Sequence, residues 1–343
     1  MKAVRVHAHG GLDQLYYEDA PDPEARANEV LLRVKATALN HLDLWTIAGV
    51  PGLTLQFPHI PGNDMAGVVE SVGGLVDHVA VGDEVVVAPG LGCGHCLDCS
   101  AGHDNLCRTY ALYGYQMNGG FAQYAAVRAD NVRPKPADMG WAEAASVSLV
   151  FLTAWHMLAE RARLQPGETC LVMAAGSGVG IAAVQIARLL GARVIATAGS
   201  DDKLERARRL GADDVVNYSD PEWPRVVRGL TGKRGVDVVV EHTGEEFFGG
   251  CVASLARDGR LVTCGATSGP RASLDIRLLF ARHLTILGSY MSGKASWHRV
   301  WEFVEAGSLQ PVVDRTFPLS AAREALERMQ KREQFGKLVL IPE

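Results

Sequence analysis

Between about residues 150 and 290 the chain alternates apolar strands with amphipathic helices, and this alternation restricts the fold more than any other feature. A segment with helical apolar spacing, 179–191, separates the first two strands, and another, 201–211, follows the second. Both segments end at a glycine, as helices often do. Strands that alternate with helices pair in parallel, so this region predicts a doubly wound α/β sheet that binds a dinucleotide. The predicted strands are 169–175, 192–198, 213–218, 236–242, 260–266 and 284–289.

The remainder of the chain is predicted to form a second, β-rich domain. At 343 residues the chain is long enough for two domains of ordinary size. Residues 30–39 alternate apolar and polar side chains like a half-buried strand, and short strands separated by glycine and proline follow. The last 50 or so residues contain two helices and a strand that return to this domain. We therefore expect a β-rich domain from 1–149 and 291–343, and a dinucleotide-binding domain from 150–290.

Composition argues against nucleic-acid binding and against membrane insertion. The formal net charge is −5, and no run of five Lys or Arg residues occurs. The N-terminal segment lacks the apolar core of a signal peptide. We expect no membrane-spanning segment, because a span needs roughly 20 apolar residues and Gln185 and Arg188 interrupt the longest apolar stretch. We expect a cytoplasmic protein that acts on a small molecule.

Four of the seven cysteines lie in one glycine-rich loop, at about residues 90–110. The spacing is C-x2-C-x2-C-x7-C, which lets four thiolates converge tetrahedrally on one zinc ion. A redox pair and chance clustering are the alternatives, but a redox pair usually stands at a helix N-terminus after a strand. Because protein ligands fill all four positions, the zinc is predicted to be structural, one per chain. The ligands are Cys93, Cys96, Cys99 and Cys107.

A second glycine-rich segment stands between the first predicted strand and the first helix of the α/β region. Its spacing departs from G-x-G-x-x-G, and the alternative is a turn needed only for packing. In its strand–turn–helix setting it predicts a turn that faces a pyrophosphate. The residues of the turn are Gly176, Ser177, Gly178, Val179 and Gly180.

The end of the second predicted strand bears on the choice between NAD and NADP. Ala198 stands where an acidic residue would bind the ribose hydroxyl of NAD. Ser200 and Lys203 follow and suit a phosphate, whereas Asp201 and Asp202 oppose one unless they point outward as helix-capping residues. The sequence therefore favours NADP(H) over NAD(H).

Taken in order, these features resemble the medium-chain dehydrogenase/reductase superfamily over almost the whole chain. The resemblance implies a GroES-like β-rich catalytic domain and a Rossmann domain, with the active site in the cleft between them. The cysteine loop looks like the zinc-binding alcohol dehydrogenases, and the rest looks like quinone oxidoreductases. The motifs that carry the resemblance are KATALNHLDLW, IPGNDMAGVVESVG, the cysteine loop, FLTAW, AAGSGVG, DVVVEHTG, VTCGATSG and FGKLVL.

The resemblance also shows what this chain lacks. The three ligands of the catalytic zinc in zinc alcohol dehydrogenases fall on Asn40, Asn63 and Leu149. The nearby Glu becomes Asp64, and the hydroxyl that relays the alcohol proton becomes Leu42. Zinc prefers thiolate or imidazole ligands, and amides are poor substitutes. We therefore predict no catalytic zinc.

A weak second metal site is the alternative to that prediction. It would have to be rebuilt from His41, His59 and Asp64.

Without a Lewis acid, hydride transfer is easiest to acceptors that spread the developing charge themselves. The sequence therefore predicts an NAD(P)H-dependent oxidoreductase that reduces a quinone or an activated alkene or carbonyl. Asn40, Asn63, Tyr113 or Tyr115 would donate a hydrogen bond to the acceptor oxygen, although each also has an ordinary role in a turn or in packing. An NAD(P)-dependent alcohol dehydrogenase and a non-catalytic NADPH-binding protein remain the alternatives.

The resemblance carries further positions over to the cofactor. Thr153 matches a residue packed against the nicotinamide, His41 a basic position near the pyrophosphate, and Tyr218 a tyrosine beside the phosphorylated ribose. By analogy, a homodimer or homotetramer pairs through the sheet edge near 284–293. The remaining cofactor positions are Gly265 and Ala266 after the fifth strand, and Lys337 near the end of the chain.

Overall fold

The computed structural model describes all 343 residues, and they form two compact units. The first unit is built from three segments of the chain and the second from two. The segments of the first unit are Met1–Leu149, Ser292–Arg299 and Pro311–Glu343, and those of the second are Val150–Met291 and Val300–Gln310.

This division differs from the expected one at residue 291 and at residues 300–310, which belong to the second unit. The ring of Phe303 lies 5.4 Å from the ring of Trp155, centroid to centroid. Gln310 and Gln185 also exchange two hydrogen bonds of 2.8 Å, each from an N–H to an oxygen of the other residue. A domain boundary predicted from changes in the sequence pattern cannot take account of side-chain contacts of this kind.

The structure has seventeen β-strands. They are β1 (Lys2–Val6), β2 (Leu15–Asp19), β3 (Glu29–Ala38), β4 (Asp64–Val72), β5 (Glu84–Val87), β6 (Gly90–Leu91), β7 (Ala111–Leu112), β8 (Tyr124–Arg128), β9 (Val132–Pro134), β10 (Thr169–Val172), β11 (Arg193–Ala198), β12 (Asp214–Asn217), β13 (Val236–Glu241), β14 (Leu255–Thr263), β15 (Thr285–Gly288), β16 (Val313–Pro318) and β17 (Lys337–Ile341).

Eleven α-helices accompany these strands, and a π-helical stretch, His156–Arg161, follows the fourth of them. The helices are α1 (His41–Ala48), α2 (Leu97–Ser100), α3 (Trp141–Ala144), α4 (Ser148–Trp155), α5 (Gly178–Leu189), α6 (Asp201–Arg209), α7 (Trp223–Leu230), α8 (Glu245–Ser254), α9 (Ile276–Ala281), α10 (Lys294–Glu305) and α11 (Ala322–Gln330).

The first unit is organised around a seven-stranded sheet of order β16-β17-β3-β4-β5-β9, with β8 also paired to β3. Alternate residues of β3, Val30, Leu32 and Val34, point into one apolar core, where they meet Met65 and Val69 of β4. Within the sheet, β4 pairs with one edge of β3, and the last strand, β17, pairs antiparallel with the other edge. The last strand of the chain therefore lies beside a strand near its beginning.

The second unit confirms the predicted doubly wound parallel sheet. Its six strands are all parallel and lie in the order β12-β11-β10-β13-β14-β15. Every residue of β10 and β13 is buried, as expected for strands covered by helices on both faces. The strand order reverses between β10 and β13, and the carboxyl ends of strands at such a point form the ligand crevice of these sheets.

One run, Trp141–Arg161, qualifies the expectation that no stretch approaches the length of a membrane span. It has 21 residues, and the most apolar window within it has a mean hydropathy of 1.3, so it is long and apolar enough to cross a bilayer. However, 78% of its most apolar window is buried inside the protein. The run contains few polar residues because most of its side chains pack inside the protein.

Helix α1 begins at a buried carboxyl group. Asp43 is fully buried, and its two oxygens accept hydrogen bonds from the backbone N–H of Asn40 at 2.7 Å and of Gly62 at 3.1 Å. These bonds tie the start of α1 to the loop before β4. Burial raises the pKa of Asp43 from 3.8 to about 7, although the two N–H donors and the charge of Lys337 oppose the shift.

We expect this carboxyl to make stability depend on pH. Because its pKa is higher in the folded chain, the stability it contributes is fully present below about pH 4 and is lost as pH rises to about 7. The difference is on the order of 4 kcal/mol at most. Asp43→Asn should remove that slope, measured as the free energy of unfolding at a series of pH values.

The control is Asp19→Asn, because Asp19 is exposed and its pairing with Lys2 lies on the surface. This variant should keep the slope of the unchanged chain. Equal slopes for Asp43→Asn and the unchanged chain would contradict the assignment.

Candidate functional site

The four cysteines of the predicted zinc loop converge. Their sulfur atoms all lie within 4.8 Å of one another, and the sulfurs of Cys93 and Cys99 are 3.9 Å apart. Four thiolates at tetrahedral zinc would be separated by about 3.8 Å. Gly92 is required for this approach, because a Cβ there would lie 2.8 Å from the Cys99 sulfur.

Backbone N–H groups of the loop point at the sulfur atoms. The N–H of Cys96 donates to Cys93 Sγ at 3.3 Å, that of Cys99 to Cys96 Sγ at 3.5 Å, and that of Cys93 to Cys107 Sγ at 3.4 Å. Such donors stabilise the charged thiolate form, which is the form that binds metal. The donor set and its spacing therefore fit a zinc ion that is held by protein on all four sides.

A second group of polar residues meets in the first unit at the ends of three strands. Ala38, the last residue of β3, pairs with Asp64 of β4 on one side and with Val339 of β17 on the other. This register brings Asn40, Asp64 and Lys337 together although up to 297 positions separate them in the chain. We call these three residues the amide–ammonium cluster.

The amide–ammonium cluster is buried and densely hydrogen-bonded. Lys337 Nζ donates to Asn40 Oδ1 at 2.6 Å and to Asp64 Oδ2 at 3.1 Å. The Asn40 amide donates to Asp64 Oδ2 at 3.0 Å and to the Ala38 carbonyl at 3.3 Å. Asp64 Oδ1 accepts the backbone N–H of Leu149 at 2.8 Å. Lys337 was expected beside the cofactor, but in the structure its ammonium donates hydrogen bonds to Asn40 and Asp64.

A catalytic metal does not fit the residues gathered here. Both oxygens of Asp64 already accept hydrogen bonds, and the neighbours supply an amide, an ammonium and a backbone N–H, none of which ligates zinc. His59 Nε2 lies 3.3 Å from the Gly114 carbonyl, and burial lowers the pKa of His59. The alternative second site built from His41, His59 and Asp64 is therefore not favoured.

Asn63 lies next to the amide–ammonium cluster in sequence and is fully buried. Its Nδ2 donates to the backbone carbonyl of Tyr113 at 2.5 Å, whereas its Oδ1 has no hydrogen-bond partner. The amide was expected to donate to a substrate oxygen. In the structure its free atom is an acceptor.

The two tyrosines expected near the substrate have different surroundings. Tyr113 is 2% exposed, packs in the core with Leu32 and Met65, and its hydroxyl accepts the backbone N–H of Arg128 at 2.9 Å. Burial raises its pKa. We therefore drop Tyr113 as a donor to substrate. Tyr115 is only half-buried, and desolvation raises its pKa as well.

The glycine-rich turn of the second unit leads from β10 into α5. Ser177 is the N-cap of α5, and its Oγ accepts the N–H of Gly180 at 2.9 Å. A Cβ at Gly180 would lie 2.3 Å from the Ala174 carbonyl, so only glycine allows this helix to pack so close to the strand. The N–H groups of Gly178 and Val179 precede the first intrahelical bond and fit a pyrophosphate, while Gly176 is buried in the turn behind them.

The end of β11 carries the residues expected at the adenosine side of a dinucleotide. The ring of Tyr218 lies 4.7 Å from that of Phe247 and covers Gly199, where a Cβ would be 3.1 Å from the tyrosine ring. Ser200 is exposed, and Lys203 lies in the first turn of α6. Asp201 and Asp202, in the same turn, are both exposed, as expected of residues that point outward at a helix start.

The remaining sequence-predicted positions lie in both units. Thr153 of α4 is buried and its Oγ1 contacts Met291 Sδ at 3.8 Å in the second unit. Gly265 and Ala266 follow β14 and are half-buried. His41 is the first residue of α1 in the first unit, with its ring edge toward Trp45.

His242 was not singled out from the sequence. It follows β13 at the point where the strand order reverses, and its Nε2 lies 3.4 Å from Ser177 Oγ in the glycine-rich turn. Burial lowers its pKa, which favours the neutral imidazole. Its position directly after a buried strand was the available signal, because residues at strand carboxyl ends line the ligand crevice.

Comparison with known proteins gives matches across both units. Residues 26–137 match the alcohol dehydrogenase GroES-like domain, and residues 178–306 match the zinc-binding dehydrogenase domain. A zinc-type alcohol dehydrogenase-like protein of Schizosaccharomyces pombe is 32% identical over 98% of this chain and 99% of its own length. The crotonyl-CoA reductase of Streptomyces collinus is 30% identical over 96% of this chain and 82% of its own length.

A solved structure described as an NAD-dependent alcohol dehydrogenase is 49% identical. It superimposes with a TM-score of 0.96 over 99% of both chains. These matches confirm the predicted fold class, a GroES-like domain with a Rossmann domain.

We expect loss of one zinc-loop cysteine to destabilise the chain. Cys96→Ser should lower the midpoint of thermal unfolding by at least about 5 °C and make zinc removable by a mild chelator, because structural zinc sites contribute directly to folding. Differential scanning fluorimetry with and without chelator, beside metal analysis, measures both.

The matched control is Ser100→Ala, an exposed position in the same loop. It should behave like the unchanged chain. A Cys96→Ser variant with unchanged melting and unchanged metal retention would show that the loop holds no zinc.

Proposed function

We propose a reductase function for this chain. The chain belongs to the medium-chain dehydrogenase/reductase superfamily, which includes the zinc-type alcohol dehydrogenases. It is an NAD(P)-dependent oxidoreductase of the alcohol dehydrogenase and crotonyl-CoA reductase kind. Within that class, our proposal is hydride transfer to a quinone or an activated alkene or carbonyl, with a structural zinc and no catalytic zinc.

The observation that carries this proposal is the hydrogen bonding of Asp64. One of its oxygens accepts the N–H of Leu149, and the other accepts Asn40 and Lys337. Resemblance to zinc alcohol dehydrogenases aligns three of these positions with the surroundings of the catalytic metal. Here they are bonded to one another, and the buried Lys337 ammonium neutralises the Asp64 carboxylate.

A bound nicotinamide would supply the hydride, and the residues of this chain would shape the charge around the acceptor. Lys337 Nζ donates two hydrogen bonds, one to Asn40 Oδ1 and one to Asp64 Oδ2. Because the Lys337 ammonium neutralises the Asp64 carboxylate, the cluster presents no net negative charge that would oppose charge developing on an acceptor. Conjugated acceptors spread that charge over several atoms, so they need less help than a simple ketone. This is why we assign the chain to such acceptors.

We further propose NADP(H) as the preferred cofactor. Ala198 stands at the end of β11 without a carboxylate that would repel a phosphate, while Ser200, Lys203 and Tyr218 lie near that end. The glycine-rich turn, Ser177 to Gly180, would hold the pyrophosphate. The 49%-identical structure is described as NAD-dependent, so the test compares both cofactors.

The oligomeric state and compartment stay predictions. The strand β15 forms one edge of the parallel sheet, and α9 beside it in sequence exposes Ile276 and Phe280. An unpaired edge strand and an exposed apolar helix suit pairing with a second copy. We propose a cytoplasmic homodimer or homotetramer with one structural zinc per chain.

An alcohol dehydrogenase is the second candidate function. It is favoured by the names of the S. pombe relative and of the 49%-identical structure. A cofactor-binding protein without catalysis is a third candidate, because this chain lacks the residues that bind the catalytic zinc in zinc alcohol dehydrogenases.

We expect the purified chain to oxidise NADPH with benzoquinone or a conjugated enone as acceptor, and to do so faster than with NADH. Its kcat/KM for the best acceptor should exceed that for oxidation of simple alcohols with NADP+ or NAD+ by at least about a hundredfold, because no Lewis acid stabilises an alkoxide. Absorbance of the reduced nicotinamide measures every arm. Preferential oxidation of alcohols would contradict the proposal, and tight NADPH binding without turnover would support the non-catalytic reading.

A further inference from the structure

Three arginine side chains of the second unit meet at the edge of the parallel sheet where its strands begin. Arg228, near the end of α7, donates to the Leu255 carbonyl at 3.3 Å, and Arg282, directly after α9, donates to the same oxygen. Two guanidiniums that share one acceptor lie within about 6 Å of each other. Arg257 donates at 3.3 Å to the carbonyl of Ala281, the neighbour of Arg282. We call Arg228, Arg257 and Arg282 the arginine cluster.

No carboxylate neutralises the arginine cluster. Its three side chains form no ion pair, and their hydrogen bonds all go to backbone carbonyls. Other arginines in this part of the sheet do pair, Arg234 with Asp237 and Arg260 with Glu168. The exposed carboxyl of Asp258 stands beside the cluster in sequence and pairs with none of its members. The cluster is therefore a concentration of positive charge without a partner in the chain.

Helix ends offset only part of this charge. The helices α7, α8 and α9 all end at the cluster, and each carries about half a negative charge at its end. Three helix ends therefore offset roughly half of the three guanidinium charges. Burial lowers the pKa of Arg282, and the charges of Arg228 and Arg257 lower it further. The exposed Lys233, whose carbonyl accepts a hydrogen bond from Arg228, adds a fourth positive charge.

The backbone beside the cluster departs from regular structure. Lys233, Asp258 and His283 have φ angles of 67°, 61° and 55°, in a region that residues with a side chain rarely adopt. The pairing of β13 with β14 also shifts register, so residues 256–259 bulge out of β14 and carry the exposed Arg257 with them. Irregularities of this kind occur preferentially at ligand sites.

We propose that the arginine cluster binds an oligophosphate, either free or as part of a nucleotide. A pyrophosphate group carries about three negative charges, and arginine forks bind phosphate oxygens in pairs. Arg257 and Arg282 each donate through a single nitrogen, which leaves most of their five N–H donors for a ligand. The cluster lies at the amino ends of the strands, opposite the carboxyl ends that form the cofactor crevice. It is therefore a second site, beyond the proposed function.

Isothermal titration calorimetry with inorganic pyrophosphate tests the site. The chain is first saturated with the reduced nicotinamide cofactor that it binds more tightly, so that the glycine-rich turn is already filled. We expect one pyrophosphate to bind per chain. Arg257→Gln should raise the Kd at least about tenfold, because a charged hydrogen-bond donor to the phosphate is lost. Arg282→Gln is the second variant and should raise the Kd by a similar factor.

Arg209→Gln is the matched control. Arg209 lies on α6 of the same unit, is exposed and pairs with Glu205, so this variant removes one positive charge away from the cluster. Its Kd for pyrophosphate should stay within about twofold of the unchanged chain.

A parallel titration with adenosine diphosphate distinguishes the two sources of the phosphates. Binding that is tighter than that of pyrophosphate and is weakened by the same two substitutions would support the site and identify a nucleotide. Equal or weaker binding with the same dependence would support the site and identify a free oligophosphate.

Three results would overturn the inference. The unchanged chain could bind neither probe with a Kd below about 1 mM. The folded Arg257→Gln and Arg282→Gln variants could both keep the affinity of the unchanged chain. Arg209→Gln could weaken binding as much as they do, which would show only diffuse attraction by surface charge. Each of these results would leave the proposed function standing, because the assay of NADPH oxidation does not involve this site.

Discussion

The buried ion pair between Lys337 and Asp64, completed by Asn40, is the interaction on which the first unit depends. The ammonium and the carboxylate are 4% and 0% exposed. Removing two charges from water costs several kcal/mol for each ion, and only close pairing with further hydrogen bonds offsets that cost. The pair therefore holds β17 in register beside β3 and β4, because any slip would leave a charge buried alone.

That arrangement also explains the chemistry that we propose. A metal site needs donor atoms with lone pairs directed at one point, whereas here the carboxylate lone pairs are directed at an amide, an ammonium and a backbone N–H. The positive charge beside Asp64 is thus that of Lys337, and the carboxylate neutralises it. An ion pair of this kind is fixed by packing and offers no coordination site for an alkoxide, so it suits acceptors that spread the developing charge themselves.

Local features could be predicted from the sequence, and features made by distant residues could not. The cysteine loop lies within fifteen consecutive residues, and the parallel sheet repeats one strand–helix unit, so their patterns are visible in the chain itself. Lys337 and Asn40 meet only because β17 pairs with β3, and nothing near either residue signals that contact. Tyr113 was predicted to donate a hydrogen bond to the acceptor oxygen, but its burial depends on the packing of β3 and β4. The free atom of the Asn63 amide depends on a backbone carbonyl 50 positions away.

The central claim is that this chain contains one structural zinc and transfers hydride without a catalytic metal. Metal analysis and enone reduction by NADPH, measured on the same sample before and after dialysis against a chelator, test it most directly. We predict one zinc per chain, on the four cysteines, and an enone turnover that does not change when loosely held metal is removed. Nearly two zinc ions per chain, with turnover lost on chelation and restored by added zinc, would contradict the account.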